Sequence, residues 1–213
     1  MTAHRSCLFG GTFDPIHEAH LKVAEAAADA FLLERILFVP AAKPPHKNAA
    51  GLTPYEDRFR MVELACAPYP TFLASRLEAG GERNYTVDTL TRFRKELAPG
   101  DRLFFLIGSD AFDELETWHC WQEVVKQTEF IVVARPGIEY HLPKNARVHR
   151  LDGLDLPVAS TTIRARLAAG EPTPELPAEV RRYIEERGLY GATKKPATAS
   201  RSRSTGRRLP SEA

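Results

Sequence analysis

Two glycines and two histidines near the start of the chain form the stretch best suited to chemistry. Gly10 and Gly11 follow a short apolar run, and an Asp-Pro turn then leads to His17 and His20. Glycine lets the backbone approach a ligand closely, and histidines three residues apart project from one face of a helix. At a helix N-terminus they would lie beside free backbone N–H groups and the positive end of the helix dipole. Such a place suits a phosphate group.

Several other chemistries lack the residues they need. The chain has no Gly-x-Gly-x-x-Gly after its first strand and no Gly-x-x-x-x-Gly-Lys-Ser/Thr, which argues against the ordinary dinucleotide fingerprint and the P-loop. His17 and His20 have no third ligand at a matching spacing, which disfavours zinc. No serine lies in a Gly-x-Ser-x-Gly elbow, and Cys7 lies inside the predicted strand, so a nucleophilic triad is unsupported. Nucleotidyl transfer remains, because positioning and electrostatics supply most of its rate, with Mg²⁺ neutralising phosphate oxygens.

A second polar cluster lies late in the chain, where hydroxyl residues at 160–162 precede Arg164 at a predicted helix start. One hydroxyl is enough for an N-cap. Three hydroxyls with an arginine also fit a second phosphate cradle, and the sequence leaves both interpretations open. Residues 41–52 carry a Lys-Pro-Pro-His-Lys segment, which fits a substrate loop and a surface connection equally.

Apolar runs predict buried strands, and apolar residues at helical spacing predict the helices between them. The first strand, helix and second strand make a βαβ unit, whose right-handed crossover makes the two strands parallel. The glycine loop then lies at the C-terminal end of a strand, where open α/β sheets bind ligands. The predicted strands are 6–9, 36–39, 72–75, 102–107, 130–133 and 148–151.

Threonines are predicted to cap two of the helices. Thr53 precedes Pro54 at the first helical position, and Glu56 completes a capping box. Thr86 is interpreted as the cap of a later helix. The last helix is predicted at 177–187, where a glycine ends it.

The composition is that of a globular domain. With 213 residues, 43% of them hydrophobic and 27% charged, the chain is long enough for one domain with a sizeable core. No apolar run reaches the length of a membrane span, and residues 1–20 lack the pattern of a secretory signal, so we expect a cytoplasmic protein with no membrane partner. Cys7, Cys66 and Cys120 fit reduced core thiols better than disulfides or zinc ligands.

Charge is unevenly distributed along the chain. Residues 192–213 hold six Lys or Arg side chains and one Glu, which leaves 23 basic and 27 acidic residues in 1–191. This acidic body offers no global basic surface, so no nucleic-acid partner is expected. The composition of the tail cannot bury apolar surface. We therefore predict a nucleotidyltransferase domain at 1–191 and a basic disordered tail at 192–213.

Together these motifs resemble the bacterial nicotinate-nucleotide adenylyltransferases of the nucleotidyltransferase superfamily. Residues 10–20 are similar to the signature Gly-Gly-Thr-Phe-Asp-Pro-x-His-x-Gly-His, and residues 158–164 to its partner Ile-Ser-Ser-Thr-x-Ile-Arg. The motifs that match between them are Pro44-Pro45-His46-Lys47, Tyr85-Thr86-Val87-Asp88-Thr89-Leu90, Gly108-x-Asp110 followed by Trp118, and Arg135-Pro136-Gly137. The resemblance covers residues 6–190.

The resemblance implies a Rossmann-like α/β fold, with a mainly parallel sheet, helices on both faces and a small helical C-terminal part. It implies adenylyl transfer from ATP to nicotinate mononucleotide, giving deamido-NAD and pyrophosphate, with Mg²⁺ bound on the ATP phosphates. The implied catalytic residues are His17, His20 and Arg164. The implied ATP site comprises Gly10, Gly11, Thr12, Phe13, His17, His20, Gly108, Asp110, Ser160, Thr161 and Arg164. The implied nicotinate-nucleotide site comprises His46, Lys47, Thr86, Trp118 and Arg135.

The chain departs from the family pattern at two positions. Ala19 stands where the family has a glycine between the histidines, and its methyl group would tighten the approach of ATP. Ala159 replaces the first serine of the later motif, which removes one hydroxyl contact. The alternative functions are transfer to nicotinamide mononucleotide or phosphopantetheine, and a non-catalytic nucleotide-binding module. The oligomeric state is not predicted.

Overall fold

A parallel sheet forms the centre of the fold. The computed structural model describes residues 3–43, 51–80, 84–134, 140–154 and 157–192. Within these ranges a six-stranded sheet has the order β3-β2-β1-β4-β5-β6, and each neighbouring pair is parallel. The strands are β1 (Arg5–Gly11), β2 (Arg35–Pro40), β3 (Phe72–Ala74), β4 (Arg102–Gly108), β5 (Glu129–Val133) and β6 (Val148–Leu151).

Helices cover both faces of this sheet, which confirms the predicted fold class. Phe104 of β4 packs in one apolar core with α1, α2, α6 and α7, and the next residue, Phe105, packs in the other with α3, α4 and α5. Successive side chains of a strand point to opposite faces, so one strand serves both cores. The helices are α1 (Glu18–Phe31), α2 (Tyr55–Cys66), α3 (Thr86–Arg94), α4 (Ser109–Asp113), α5 (Trp121–Gln127), α6 (Ser160–Ala168) and α7 (Ala178–Arg187).

Every predicted strand is present, and the central strands, which are buried on both faces, have the continuous apolar sequences that make such strands easy to recognise. The chain runs outwards from β1 to β3 and then crosses to β4 on the other side of β1. At such a reversal the C-terminal ends of the two central strands border a crevice. Gly11 at the end of β1 and Gly108 at the end of β4 therefore lie where a ligand would bind.

The predicted threonine caps are wrong for both helices. α2 begins at Tyr55 with Pro54 in the N-cap position, and α3 begins at Thr86 itself. Thr53 is buried, and its backbone N–H donates to the carboxylate of Asp14 at 3.5 Å. Thr53 therefore contacts the β1–α1 loop through Asp14, and Thr86 is the first residue of its helix.

The hydroxyl cluster at the start of α6 does not cap that helix. Ala159 occupies the N-cap position and makes no side-chain cap hydrogen bond. The hydroxyl of Ser160 instead donates to the carbonyl oxygen of Pro15 at 3.1 Å, and Thr161 is exposed. Of the two interpretations left open above, N-capping therefore does not account for these hydroxyls.

The C-terminal helix agrees with its prediction from the sequence, whereas one of the three cysteines does not. α7 ends as predicted at Gly188, whose φ is 61°. Cys7 and Cys66 are buried free thiols, but Cys120 is exposed, so the expectation of a core thiol is wrong there. Among the helices that the structure describes, none has the length and apolar character needed to cross a membrane. The predicted tail beyond Ala192 lies outside the described residues.

Truncation of a core ring tests this packing. Phe130 in β5 is 0% exposed, so Phe130→Ala is expected to lower the free energy of unfolding by about 3–5 kcal/mol through lost burial and a cavity. The control is Leu142→Ala, since Leu142 is 61% exposed, with an expected change within about 0.5 kcal/mol. Urea unfolding measures both changes, and similar losses in the two variants would contradict the packing described.

Candidate active site

Two clefts open at the crevice beside the ends of β1 and β4. The larger has a volume of about 680 Å³ and the smaller about 410 Å³. Phe9 and Val133 lie in the wall of the larger cleft, whereas Leu8, Gly10 and Phe105 lie in the wall of the smaller. Most of the predicted site residues that the structure describes divide between these two clefts.

The larger cleft brings together predicted ATP-site residues from three parts of the chain. His17 and His20 come from the start of α1, Gly108 and Asp110 from the junction of β4 and α4, and Ser160 from the start of α6. Apolar walls with few polar groups are typical of a small-molecule site. The remaining wall residues, which include both departures from the family pattern, are Phe9, Ala19, Val23, Ser109, Val133, Leu154, Pro157, Val158 and Ala159.

The smaller cleft contains Thr86 and Trp118, the two described members of the predicted nicotinate-nucleotide site. Gly10, Gly11 and Thr12, which the resemblance assigns to ATP, also lie in its wall. The β1–α1 loop is thus shared between the clefts. Lys43, Tyr85 and Thr89, which belong to segments singled out in the sequence, also lie in this wall. The sequence indicated no role for the wall residues Glu78, Asn84, Glu114, Thr117 and His119.

Aromatic rings and a buried carboxyl group give the smaller cleft its character. The rings of Tyr85 and His119 lie 4.3 Å apart between centroids. Glu78 accepts a hydrogen bond from the Thr89 hydroxyl at 2.8 Å. Burial raises the pKa of Glu78 above its ordinary value, although the Thr89 hydrogen bond acts in the opposite direction. Tyr85 belongs to a recognised motif, but no spacing in the sequence singles out Glu78.

The two histidines are held together at the start of α1. His17 occupies the N-cap position, and its backbone N–H donates to Nδ1 of His20 at 3.2 Å. Their rings are 3.8 Å apart between centroids. Because Nδ1 of His20 accepts this hydrogen bond, the proton of the neutral ring lies on Nε2. His20 therefore presents an Nε2–H donor.

Burial keeps both imidazoles neutral. It lowers the pKa of His17 to about 4, although the nearby carboxylate of Glu175 acts in the opposite direction. Burial, and then the neighbouring His17, hold the pKa of His20 well below its ordinary value. Near pH 7 the cleft therefore offers neutral imidazoles to an anion.

Phe13 supports the glycine loop from the core. A Cβ atom on Gly11 would lie 2.8 Å from the Phe13 ring, too close for any side chain. Phe13 is itself 2% exposed, and its ring centroid lies 5.1 Å from that of His20. The structure thus places Phe13 behind the loop, in packing contact with both a glycine and a predicted catalytic residue.

Side chains from α2 and α6 hold the backbone of the β1–α1 loop. Nη1 of Arg58 donates to the Thr12 carbonyl oxygen at 2.7 Å, and Nη1 of Arg164 donates to the Asp14 carbonyl oxygen at 2.8 Å. Arg58 is 0% exposed. Arg58 and Val62 lie on the same buried side of α2. A charged residue on the buried side of a helix indicates a structural role, and this signal was missed in the sequence.

Some predicted site residues lie away from both cleft walls. Arg164 contacts the loop as described, and Thr161 is exposed at the start of α6. His46, Lys47 and Arg135 lie outside the described residues. Across the described ranges, no group of three or more His, Cys, Asp or Glu side chains could hold a metal ion.

Comparison with known proteins identifies the class first. Residues 8–166 match the family model described as Cytidylyltransferase-like. The structure of the Plasmodium falciparum nicotinic acid mononucleotide adenylyltransferase complexed with NaAD has the same fold, with a TM-score of 0.73 at 21% identity, covering 90% of this chain and 100% of that one. The crevice and its two clefts thus belong to a cytidylyltransferase-like nucleotidyltransferase fold.

The curated relatives narrow the class. A protein from Solibacter usitatus named "Probable nicotinate-nucleotide adenylyltransferase" is 49% identical over 183 residues, covering 86% of this chain and 97% of its own length. A relative of the same name from Moorella thermoacetica is 40% identical over 196 residues, covering 86% of this chain and 90% of its own. The chain belongs to the cytidylyltransferase-like family and, within it, to the nicotinate-nucleotide adenylyltransferases.

The depressed histidine pKa predicts a pH-dependent stability. Below about pH 6.5 the unfolded chain protonates its histidines, whereas folded His17 stays neutral down to a pKa of about 4, so stability falls as pH is lowered between these values. When the pH is lowered from about 7.5 to about 5, the free energy of unfolding of the wild type should fall by about 2 kcal/mol more than that of His17→Asn.

Urea unfolding at both pH values measures this difference. The matched control is His141→Asn, because the side chain of His141 is exposed. It should follow the wild type. Equal losses in the wild type and in His17→Asn would contradict the burial of a neutral imidazole.

Proposed function

We propose that this chain transfers the adenylyl group of ATP to nicotinate mononucleotide, giving deamido-NAD and pyrophosphate. The observation that carries the proposal is the pair of clefts that share one loop, with both histidines in the larger and Thr86 and Trp118 in the smaller. Relatives that cover most of this chain bear the name of this activity. One cleft would hold the donor nucleotide and the other the acceptor, with the reacting atoms meeting at the loop.

The larger cleft suits ATP. Its apolar wall, including Leu154 and Val158, offers a surface for the adenine ring. Asp110 would lie near the ribose hydroxyls. Phosphate oxygens would meet the N–H groups of His17 and His20 and the start of α6 at Ser160, where a helix N-terminus favours anions.

The reaction needs charge stabilisation more than proton transfer. The 5′-phosphate of nicotinate mononucleotide is already ionised, so its oxygen attacks the α-phosphorus directly while the bond to the β-phosphate oxygen breaks and pyrophosphate leaves. The Nε2–H of His20 is a donor for the charge that develops on the phosphate oxygens. As neutral groups, the histidines admit an anion without first giving up an ion partner, and the negative charge then raises their proton affinity.

Mg²⁺ would arrive as part of the MgATP substrate. The donor set described above contains no carboxylate cage, and Mg²⁺ is often bound through substrate phosphates and water with few protein ligands. On the phosphates it would neutralise oxygen charge. The chain's own part is to orient those phosphates against His17, His20 and Ser160.

The smaller cleft suits a pyridine ring with a carboxylate. Trp118, Tyr85 and His119 offer aromatic faces for stacking. Thr86 begins α3, so its hydroxyl and the first N–H groups of that helix are donors for the ring carboxylate. His46, Lys47 and Arg135 complete the proposed acceptor site, and the cytoplasm is its proposed compartment.

Acceptor preference is the direct test. Purified protein is incubated with MgATP and nicotinate mononucleotide, nicotinamide mononucleotide or phosphopantetheine, and pyrophosphate release is followed. The nicotinate nucleotide should have a kcat/KM higher by about tenfold or more, because a charged carboxylate gains stronger hydrogen bonds than a neutral amide. Equal or better turnover with nicotinamide mononucleotide would reject the acceptor assignment. No pyrophosphate with any acceptor would instead favour a non-catalytic nucleotide-binding module.

Alanine at either histidine tests the donor site. His17→Ala and His20→Ala should each lower kcat by about 10²–10³-fold, as expected when a transition-state donor is removed. Circular dichroism and urea unfolding establish that each variant is folded, and His141→Ala serves as the control outside the clefts. Wild-type turnover in a folded His17→Ala variant would refute the proposed role of His17.

A further inference from the structure

A tyrosine from the C-terminal end of the described chain reaches the loop that leads to His17. The hydroxyl of Tyr190 donates to Oδ1 of Asp14 at 2.6 Å, across 176 residues of sequence. Asp14 is 4% exposed. Neither residue is in the wall of either cleft. Any effect of Tyr190 on a bound nucleotide therefore passes through the loop.

The backbone conformation of Tyr190 indicates that surrounding contacts fix the position of this residue. Its φ of 56° lies in the left-handed region, which is disfavoured for a residue with a side chain. Such a conformation persists only when surrounding contacts fix it. The Tyr190 ring packs against the apolar core, its segment contacts α6, and its hydroxyl donates to Asp14 and also interacts with the Thr53 side chain.

We propose that Tyr190 is a positioning residue for adenylyl transfer, which holds His17 in place through the carboxylate of Asp14. This inference rests on the proposed function. Asp14 lies three residues before His17, so a shift of its side chain moves the backbone that leads into α1. Tyr190 is thus assigned to the geometry of the larger cleft without touching a substrate.

Removal of the hydroxyl would leave the buried carboxylate poorly satisfied. The Thr53 N–H also donates to this carboxylate, but the bond is long at 3.5 Å, and Arg58 interacts with the carboxylate as a nearby charge. A buried carboxylate that lacks donors is costly, so Asp14 would turn towards another partner and carry the loop with it. Burial and the Asp14 carboxylate both raise the pKa of Tyr190, which keeps the phenol protonated as a donor.

The chain supplies a matched control for the test. Tyr183 in α7 also donates its hydroxyl to a buried aspartate, Asp57 of α2, at 2.7 Å. Both tyrosines therefore join the C-terminal part to the rest of the fold by the same kind of bond. Only Tyr190 bonds to the β1–α1 loop.

The experiment compares Tyr190→Phe with Tyr183→Phe in the full chain. Tyr183→Phe should lower the urea midpoint less than Tyr190→Phe, because Nε of Arg187 also donates to Oδ1 of Asp57 at 3.2 Å. Only Tyr190→Phe should lower kcat, by about tenfold, with KM for nicotinate mononucleotide within about twofold of wild type. Such a pattern marks an interaction expressed in the transition state. Both are assayed below the temperature at which either unfolds, with kcat expressed per folded molecule. Equal kcat values in the two variants would overturn the proposal.

A background variant identifies the route of the effect. In Asp14→Asn protein, the additional loss from Tyr190→Phe should be much smaller than in wild type, since residues that act as a unit are non-additive. An undiminished additional loss would show that Tyr190 does not act through Asp14, and the proposal would fail.

A readout without turnover separates this inference from the proposed function. The imidazole NMR signals of His17 and His20 should shift in Tyr190→Phe and stay unchanged in Tyr183→Phe. If wild-type protein releases no pyrophosphate with any acceptor, the proposed function fails while these signals still test the positioning. Unshifted imidazole signals in Tyr190→Phe would overturn the positioning role itself.

Discussion

The loop between β1 and α1 brings its backbone close to two ligand clefts, and this leaves carbonyl oxygens on the inner side that water cannot reach. Donors from the protein must therefore satisfy them. In this loop, Arg58 donates to the carbonyl oxygen of Thr12 at 2.7 Å and Arg164 donates to that of Asp14, while Arg58 also donates to the carbonyl oxygen of Thr53, just before α2, at 3.0 Å. A buried guanidinium is costly unless its N–H groups are used. The positions of α2 and α6 are consequently tied to the loop as well as to the apolar core.

Burial of the start of α1 also explains why the larger cleft carries no fixed positive charge on its histidines. Imidazoles held away from water bind protons weakly, so the cleft holds hydrogen-bond donors without fixed positive charge. A permanent cation there would need a counter-ion in the absence of ligand, and that ion would have to leave before the nucleotide could bind. Neutral donors avoid this competition. They are oriented in advance because the backbone N–H of His17 fixes the ring of His20.

Sequence was sufficient for the features that depend on local pattern. Continuous apolar runs revealed the central strands, and the motifs revealed His17 and His20 at the start of a helix. The caps at Thr53 and Thr86 were mistaken because the spacing did not fix where each helix begins, α2 at Tyr55 after Pro54 and α3 at Thr86 itself. The bond from Tyr190 to Asp14 joins positions too distant for any periodicity to connect. Assignment to a family could name cleft residues, but only the fold shows which groups hold them in place.

Successive residues of β1 line different clefts, and this determines where the two clefts lie relative to the sheet. Phe9 lies in the wall of one cleft, and its neighbours Leu8 and Gly10 lie in the wall of the other. The alternation of a single strand thus separates the two clefts onto opposite faces of the sheet, and the proposed function assigns the donor nucleotide to one cleft and the acceptor to the other. A slip of one residue in the pairing of β1 would exchange the two faces. In the proposed function, the register of β1 therefore decides which face of the sheet receives each nucleotide.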